Sequence, residues 1–255
     1  MKVYFINLDR APERRAYTEQ KLQGLDFERV AAVDGKLNPP TKQGLNRFQI
    51  ACIDSHRVAW RKFLATPDPF ACFLEDDLHF SPDFQAFVAD EGWIPSDAHA
   101  VKLDSFYNVV MVGAPRPAPT GRTLARLFTR HESSAAYILS RQGAETFLRL
   151  SEKPTKPVDY ILFPENPIGE KLNVYQLTPA VTVQDSRYEE HHAPGQQFAS
   201  AIARTDRPGP AAGLPRLWFK LKRETFRIFL DIGRARRYLV NRLIRGLKPE
   251  VIPFQ

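Results

Sequence analysis

Three consecutive acids, Glu75, Asp76 and Asp77, follow directly on the apolar run Phe70-Ala71-Cys72-Phe73-Leu74. A short continuous apolar run reads as a strand buried on both faces. The carboxyl end of such a strand is where open α/β sheets hold their ligands. Residues two apart on an extended segment project to the same side, so Glu75 and Asp77 are expected to act as a pair. Asp76 is expected to point away and to support the site from behind. Two carboxylates on one side make a hard anionic site for Mg2+ or Mn2+, with positions left for phosphate oxygens. A cation there would offset the charge that builds on a departing diphosphate. The same three acids would also make a solvated turn, and spacing alone does not separate the two readings.

Other residues carry weaker signals. Arg10 and Arg14 present guanidinium forks, which suit a diphosphate better than a lysine point charge, or else form a polar cap on the first helix. Asp34 sits in an Asp34-Gly35 turn pair. Ser55-His56 is not a hydrolase dyad, because adjacent helical residues diverge by about 100° and no GxSxG elbow accompanies them. His56 shares an apolar stripe with Trp60, the place of a satisfied core histidine. Lys102, at a strand end, is placed either to meet a phosphate or to lie on the surface. His131, His191 and His192 show no zinc-site spacing; the last two follow Glu189-Glu190 in a solvated charged run.

Positioning these residues requires alternating strands and helices. Val3 to Leu8 reads as a buried strand, Pro12 to Gln23 as a helix opened by proline, and Phe27 to Val33 as a second strand. Residues 46–65 have helical period, with Cys52, His56, Ala59, Trp60 and Phe63 on one face. Ser81-Pro82-Asp83 opens a further helix. Strands are expected at 100–103, 107–113, 123–128, 135–139, 172–177 and 180–184, and a helix at Arg141–Leu150. The alternation predicts an α/β domain. Its boundaries are read as 1–192, followed by a linker at 193–213 rich in Ala, Pro and Gly.

Four ordered segments resemble glycosyltransferase family 25, the bacterial lipooligosaccharide galactosyl- and glucosyltransferases. They are Ile6-Asn7-Leu8-Asp9-Arg10 with Glu13-Arg14-Arg15, Ala32-Val33-Asp34-Gly35, Ser55-His56 with Ala59-Trp60, and Leu74-Glu75-Asp76-Asp77. Weaker echoes lie at Val101-Lys102-Leu103, 136–140, Pro157-Val158-Asp159 and Gln184-Asp185-Ser186. The chain departs from the family pattern at Gln49-Ile50-Ala51-Cys52-Ile53-Asp54, where relatives often have a Gly-rich entry. The resemblance implies a GT-A-type, Rossmann-like nucleotide-sugar-binding fold, a UDP-sugar donor and an inverting transfer of a hexose to a glycan acceptor. It implies that Asn7, Arg10, Arg14 and His56 lie near the nucleotide and that Asp34 meets the ribose or uracil edge. It also places Asp159 on the acceptor side, as the base an inverting attack needs; Asp104, Glu132 and Asp185 are the rivals. Two other functions compete: a catalytically silent glycan- or partner-binding module, and a metal-dependent nucleotidyltransferase.

Composition bounds the rest. At 255 residues with 43% hydrophobic content the chain builds one large domain plus an appendage. Cys52 and Cys72 both lie in apolar surroundings, as small buried hydrophobes of a reducing compartment. No secretory signal or stretch of about 18 apolar residues is visible, so the cytoplasm is expected. The net charge of +7 is unevenly placed. Residues 214–249 hold eleven Lys or Arg against Glu224 and Asp231, a net of +9, which leaves −2 for the rest. From Leu217 to Arg234 polar, mostly cationic positions recur at three- and four-residue spacing between large apolar ones, and a second basic segment runs from Arg234 to Lys248. This predicts a basic amphipathic helical tail over 214–255, which lies on the inner face of an anionic membrane through residues 214–248 or else packs as helices on the main domain or a second subunit. Its apolar face is too broad for a helix that tracks nucleic-acid phosphates.

Overall fold

Tyr4, Phe73 and Tyr137 are register partners on three neighbouring strands, and their rings stack across the sheet with centroids 5.6 and 5.4 Å apart. In the computed structural model, which describes residues 1–39, 44–191, 239–244 and 246–255, these strands form the middle of an eight-stranded sheet. The first half of the chain runs β1 (Lys2–Asn7), α1 (Pro12–Lys21), β2 (Phe27–Ala31), α2 (Arg47–Leu64), β3 (Phe70–Glu75), β4 (Leu78–Phe80) and α3 (Phe84–Ala89). It continues through β5 (Ala100–Lys102), β6 (Asp104–Ser105), β7 (Val109–Val112), β8 (Arg116–Pro117) and β9 (Thr123–Arg126). After β10 (Ala136–Ser140) come α4 (Arg141–Leu150), α5 (Val158–Leu162), β11 (Val174–Thr178), β12 (Thr182–Gln184) and α6 (Asp185–His191). A last strand, β13, spans Lys248–Val251.

The large sheet has the order β2-β1-β3-β10-β5-β11-β9-β8. β1 pairs parallel with both β2 and β3, as two βαβ crossovers through α1 and α2 require. β10 is antiparallel to β3 and β5. This is the α/β, Rossmann-like class expected from the alternation of elements. Along β1, β3 and β10 successive residues serve opposite cores. Tyr4, Ile6, Ala71, Phe73, Tyr137 and Leu139 pack on one face with α2, α4 and α5. Val3, Phe5, Cys72, Leu74, Ala136 and Ile138 pack on the other with α3. Burial on both faces explains why the 70–74 run lacks polar alternation.

α2 starts with a full capping box: Asn46 Oδ1 accepts from the Phe48 and Gln49 amides, and Gln49 returns the bond to the Asn46 amide. α4 spans the predicted residues and is capped by Ser140. Gly143 on α4 has no room for a side chain, since a Cβ there would stand 2.0 Å from the His99 carbonyl oxygen. Pro157-Val158-Asp159 is not a plain turn: Pro157 caps α5, and Asp159 lies in its first turn.

The expected 214–255 helical tail needs a correction at its end. Residues 192–238, which include the expected linker and most of the tail, lie outside the described residues. Val240–Ile244 form one π-helical turn, but β13 then pairs antiparallel with β7, from Lys248 opposite Val112 to Val251 opposite Val109. Ile252 is fully buried, and its carbonyl accepts from Ser105 Oγ at 2.6 Å. Arg122 Nη2 donates to the Gln255 carbonyl at 2.8 Å. Pro249 and Pro253 are the physical reason: neither fits a helix interior, and Pro249 suits an edge strand. The last residues therefore belong to the main domain.

Candidate active site

β1 and β3 end side by side, so the residues leaving their carboxyl ends share one cleft. Arg10, Arg14, Asp34, Gly35, Cys52, His56, Glu75, Asp76, Asp77 and Gln184 line it. Asp76 follows the end of β3 at Glu75, lines the cleft as well, and is fixed by two donors. Asn7 Nδ2 donates to its Oδ2 at 2.6 Å, and Arg14 Nη1 donates to its Oδ1 at 2.9 Å. Asn7 accepts in turn from Arg29 Nε at 2.9 Å. Both ends of the Asn7 amide are thus engaged, and Asn7 positions Asp76 from its buried place on β1.

Glu75 and Asp77 do share a side. Gln184 Nε2, at the end of β12, lies 3.4 Å from Glu75 Oε2 and 3.4 Å from Asp77 Oδ1. Ser134 Oγ donates to Glu75 Oε1 at 2.8 Å. Burial and then the adjacent Glu75 charge push the Asp77 carboxyl up to about 7, against the opposing pull of Arg14. Burial would raise Glu75 too, but His56, Ser134 and the charge of Lys102 together hold it below its ordinary value. Two converging, half-enclosed carboxylates, one of them raised by burial and by the charge of the other, form a donor set that fits a hard divalent cation.

The opposite wall is built on α2 and the loop after β2. Arg10 Nε donates to Asp34 Oδ2 at 2.6 Å, and the Lys36 amide donates to Asp34 Oδ1 at 2.9 Å. These bonds, Arg10 first, hold the Asp34 carboxyl below its usual range. Ser55 Oγ donates to the Ala51 carbonyl at 2.7 Å and accepts from the Val33 amide at 2.9 Å. Its hydroxyl ties helix to loop and takes no part in a dyad. Gly35 packs so closely on α2 that a Cβ would lie 2.9 Å from Phe48 Cα. His56 is buried as its stripe predicted, yet it also reaches the cleft. Nδ1 is 2.6 Å from Tyr137 Oη, which accepts from Trp60 Nε1 at 2.9 Å, and Nε2 is 3.4 Å from Glu75 Oε1.

Five predicted residues, Lys102, Asp104, Glu132, Asp159 and Asp185, are not among those that line this cleft. Lys102 is neither at the surface nor open to a phosphate. It is fully buried, donating to Asp104 Oδ1 and to the Ser133 carbonyl, both at 2.6 Å, with its ammonium over the Phe163 ring. Asp104 is fully buried in the same pair, which removes it as a base for an acceptor hydroxyl. Burial draws Lys102 down and Asp104 up, and their contact opposes both shifts. Glu132 is paired with Arg130 at 2.6 Å, and Arg130 in turn covers the Tyr160 ring. Asp159 is half-buried; burial raises its carboxyl, while Lys102 and backbone amides pull it back. Its charge is felt at the Cys52 thiol. The fourth candidate base, Asp185, is bonded to His79 Nε2 at 2.6 Å.

Gln184 enters the sequence reading only within the weaker echo Gln184-Asp185-Ser186, with no role, and Ser134 does not enter it. Gln184 did carry a signal, since it is a polar residue closing a short apolar strand, as Glu75 is. Ser134 carried none; only the pairing of β10 with β3 brings it to Glu75.

Residues 1–162 match the model of glycosyltransferase family 25, described as LPS biosynthesis protein. The lacto-N-neotetraose biosynthesis glycosyltransferase LgtB of Neisseria gonorrhoeae is 28% identical, with 100% of each chain covered. The lipooligosaccharide biosynthesis protein lic2B of Haemophilus influenzae is 22% identical over 72% of this chain and 76% of its own. A glycosyltransferase involved in glycosylation of the major capsid of PBCV-1 is similar in structure, with a TM-score of 0.40 and 11% identity, over 74% of this chain and 96% of that one.

Proposed function

The chain belongs to glycosyltransferase family 25, and from that premise we propose that it moves a hexose, galactose or glucose, from a UDP-sugar to a lipooligosaccharide or other surface glycan, with inversion. The observation that carries this reading is the convergence of Arg10, Arg14 and Asp34 with Glu75 and Asp77 on one cleft. In it, Glu75 and Asp77 hold Mn2+ or Mg2+. That ion, when bound, offsets charge on the departing diphosphate. Asn7 and Asp76 fix Arg14 at the rim, where its guanidinium and that of Arg10 face the diphosphate oxygens. Asp34 accepts from the ribose or the uracil edge. Asp159 takes the proton of the acceptor hydroxyl as that oxygen attacks the sugar carbon opposite the leaving group. Burial raises its carboxyl above the ordinary value, which strengthens it as a base.

The names of LgtB and lic2B support a lipid-linked glycan as acceptor. No helix among the described residues is long and apolar enough to cross a membrane. Residues 214–248, with their net positive charge and large apolar side chains, would then hold the enzyme on the anionic cytoplasmic leaflet. The test is incubation of the full chain with a panel of UDP-sugars, Mn2+ and a glycan acceptor. Acceptor-dependent release of UDP that stops in EDTA is the expected result. Release of pyrophosphate would mean nucleotidyl transfer, and tight donor binding without turnover would mean a silent binding module.

A further inference from the structure

Cys52 and His56 are one helical turn apart on α2, so their side chains share a face. Both point at Glu75. The Cys52 sulfur, a His56 ring nitrogen and a Glu75 oxygen all lie within 4.8 Å of one another. His56 is 1% exposed, and its Nε2 makes no hydrogen bond shorter than a long approach to Glu75. A buried ring nitrogen left unsatisfied is uncommon enough to need a cause. Nε2 stands 3.4 Å from Glu75 Oε1, which is about the edge of a tetrahedron whose centre is roughly 2.0–2.1 Å from each ligand atom. The other ring nitrogen is 2.6 Å from Tyr137 Oη. That oxygen is placed to accept an Nδ1–H, the outer bond that orients most metal-bound histidines.

The geometry points to a second cation site in this cleft: Cys52, His56 and Glu75 bind a borderline-soft transition metal such as Zn2+, with a fourth position open to the cleft. Thiolate and imidazole select against Mg2+ and favour Zn2+ or Co2+. On binding, the Cys52 thiol gives its proton to solvent and the sulfur coordinates the ion. The His56 proton resides on Nδ1, leaving the Nε2 lone pair for the metal. Because Glu75 is common to both sites, Zn2+ here and a hard cation at Glu75/Asp77 compete for one carboxylate.

Co2+ is the probe, since cobalt bound to a thiolate absorbs strongly in the near ultraviolet. Titration of the metal-free full chain with Co2+ should produce this band, and Zn2+, which binds such ligands more tightly than Co2+, should erase it. Cys52→Ser should abolish the band. Cys72→Ser should keep it, because Cys72 lies on β3 in the opposite core. Circular dichroism of each variant verifies that it is folded. A folded native chain without the band overturns the assignment. So does a band that survives Cys52→Ser, or one that disappears with Cys72→Ser instead.

Discussion

Burial first, and then the charge of the neighbouring Glu75, raise the Asp77 carboxyl. It titrates at about 7 in the folded chain, against about 3.9 when unfolded. Stability tied to such a raised group is complete below the unfolded value and is lost as pH climbs through the folded one. In EDTA the native chain should therefore lose more thermal stability than Asp77→Asn between about pH 4 and pH 8. Thermal melts at a series of pH values test this; parallel curves for the two proteins would show that Asp77 carries no such strain. The same variant should lose metal-dependent donor binding. Asp159→Asn is expected to lower kcat by about 10²–10⁴-fold while leaving donor affinity nearly unchanged. An unchanged kcat would move the base to Glu132 or Asp185, since Asp104 is committed to Lys102. Lys102 itself shows where residue-level reading stops. A lysine between Val101 and Leu103 has neighbours that predict a strand, but not that its ammonium turns inward to Asp104 and Ser133. That depends on an acid two residues on and on a loop that reaches it only through β10.

At the scale of elements, local pattern was a good guide wherever one face or both faces of a segment met a core. Arg141–Leu150, the helix at 47–64 and the β3 run are legible because their apolar residues follow the period of the element. Two-residue strands such as β6 and β8 carry no period of their own and exist only through their partners. The end of the chain misled for a different reason. The basic, apolar pattern from residue 217 onward ends at Lys248, and Pro249 and Pro253 keep the residues after it out of a helix. β13 covers the edge of β7 and seats Ile252 in the core. Truncation after Leu247 removes that side chain, whose burial contributes about 1.5–3 kcal/mol. At about 2–4 °C per kcal/mol for a domain of this size, Tm should fall by about 3–12 °C. Scanning calorimetry would show it, and light scattering should register association through the exposed β7 edge. An unchanged Tm would mean that β13 is a passive cover.

For the whole molecule, the return of residues 246–255 to the main domain changes how membrane attachment must be tested. A truncation near residue 210 would also delete β13, so it would confuse loss of binding with loss of fold. Substituting Lys220, Lys222, Arg223 and Arg227 together by Glu keeps the chain whole. Each basic residue contributes about 1 kcal/mol near an anionic surface, so binding to anionic vesicles should weaken by far more than tenfold, with Tm unchanged. Vesicle co-sedimentation checks this; undiminished binding would remove residues 214–248 from the membrane contact. The closing strand also sets an order in time. β1, α2 and β3 come off the ribosome early, but Glu75 acquires Ser134 and Gln184 only as those residues follow. The β7 edge must wait for Lys248–Val251, an interval of about 10 s at about 5–20 residues per second. Until then the nascent chain carries a nearly complete donor cleft and an unpaired strand edge at once, so any chaperone protection it needs falls within that interval.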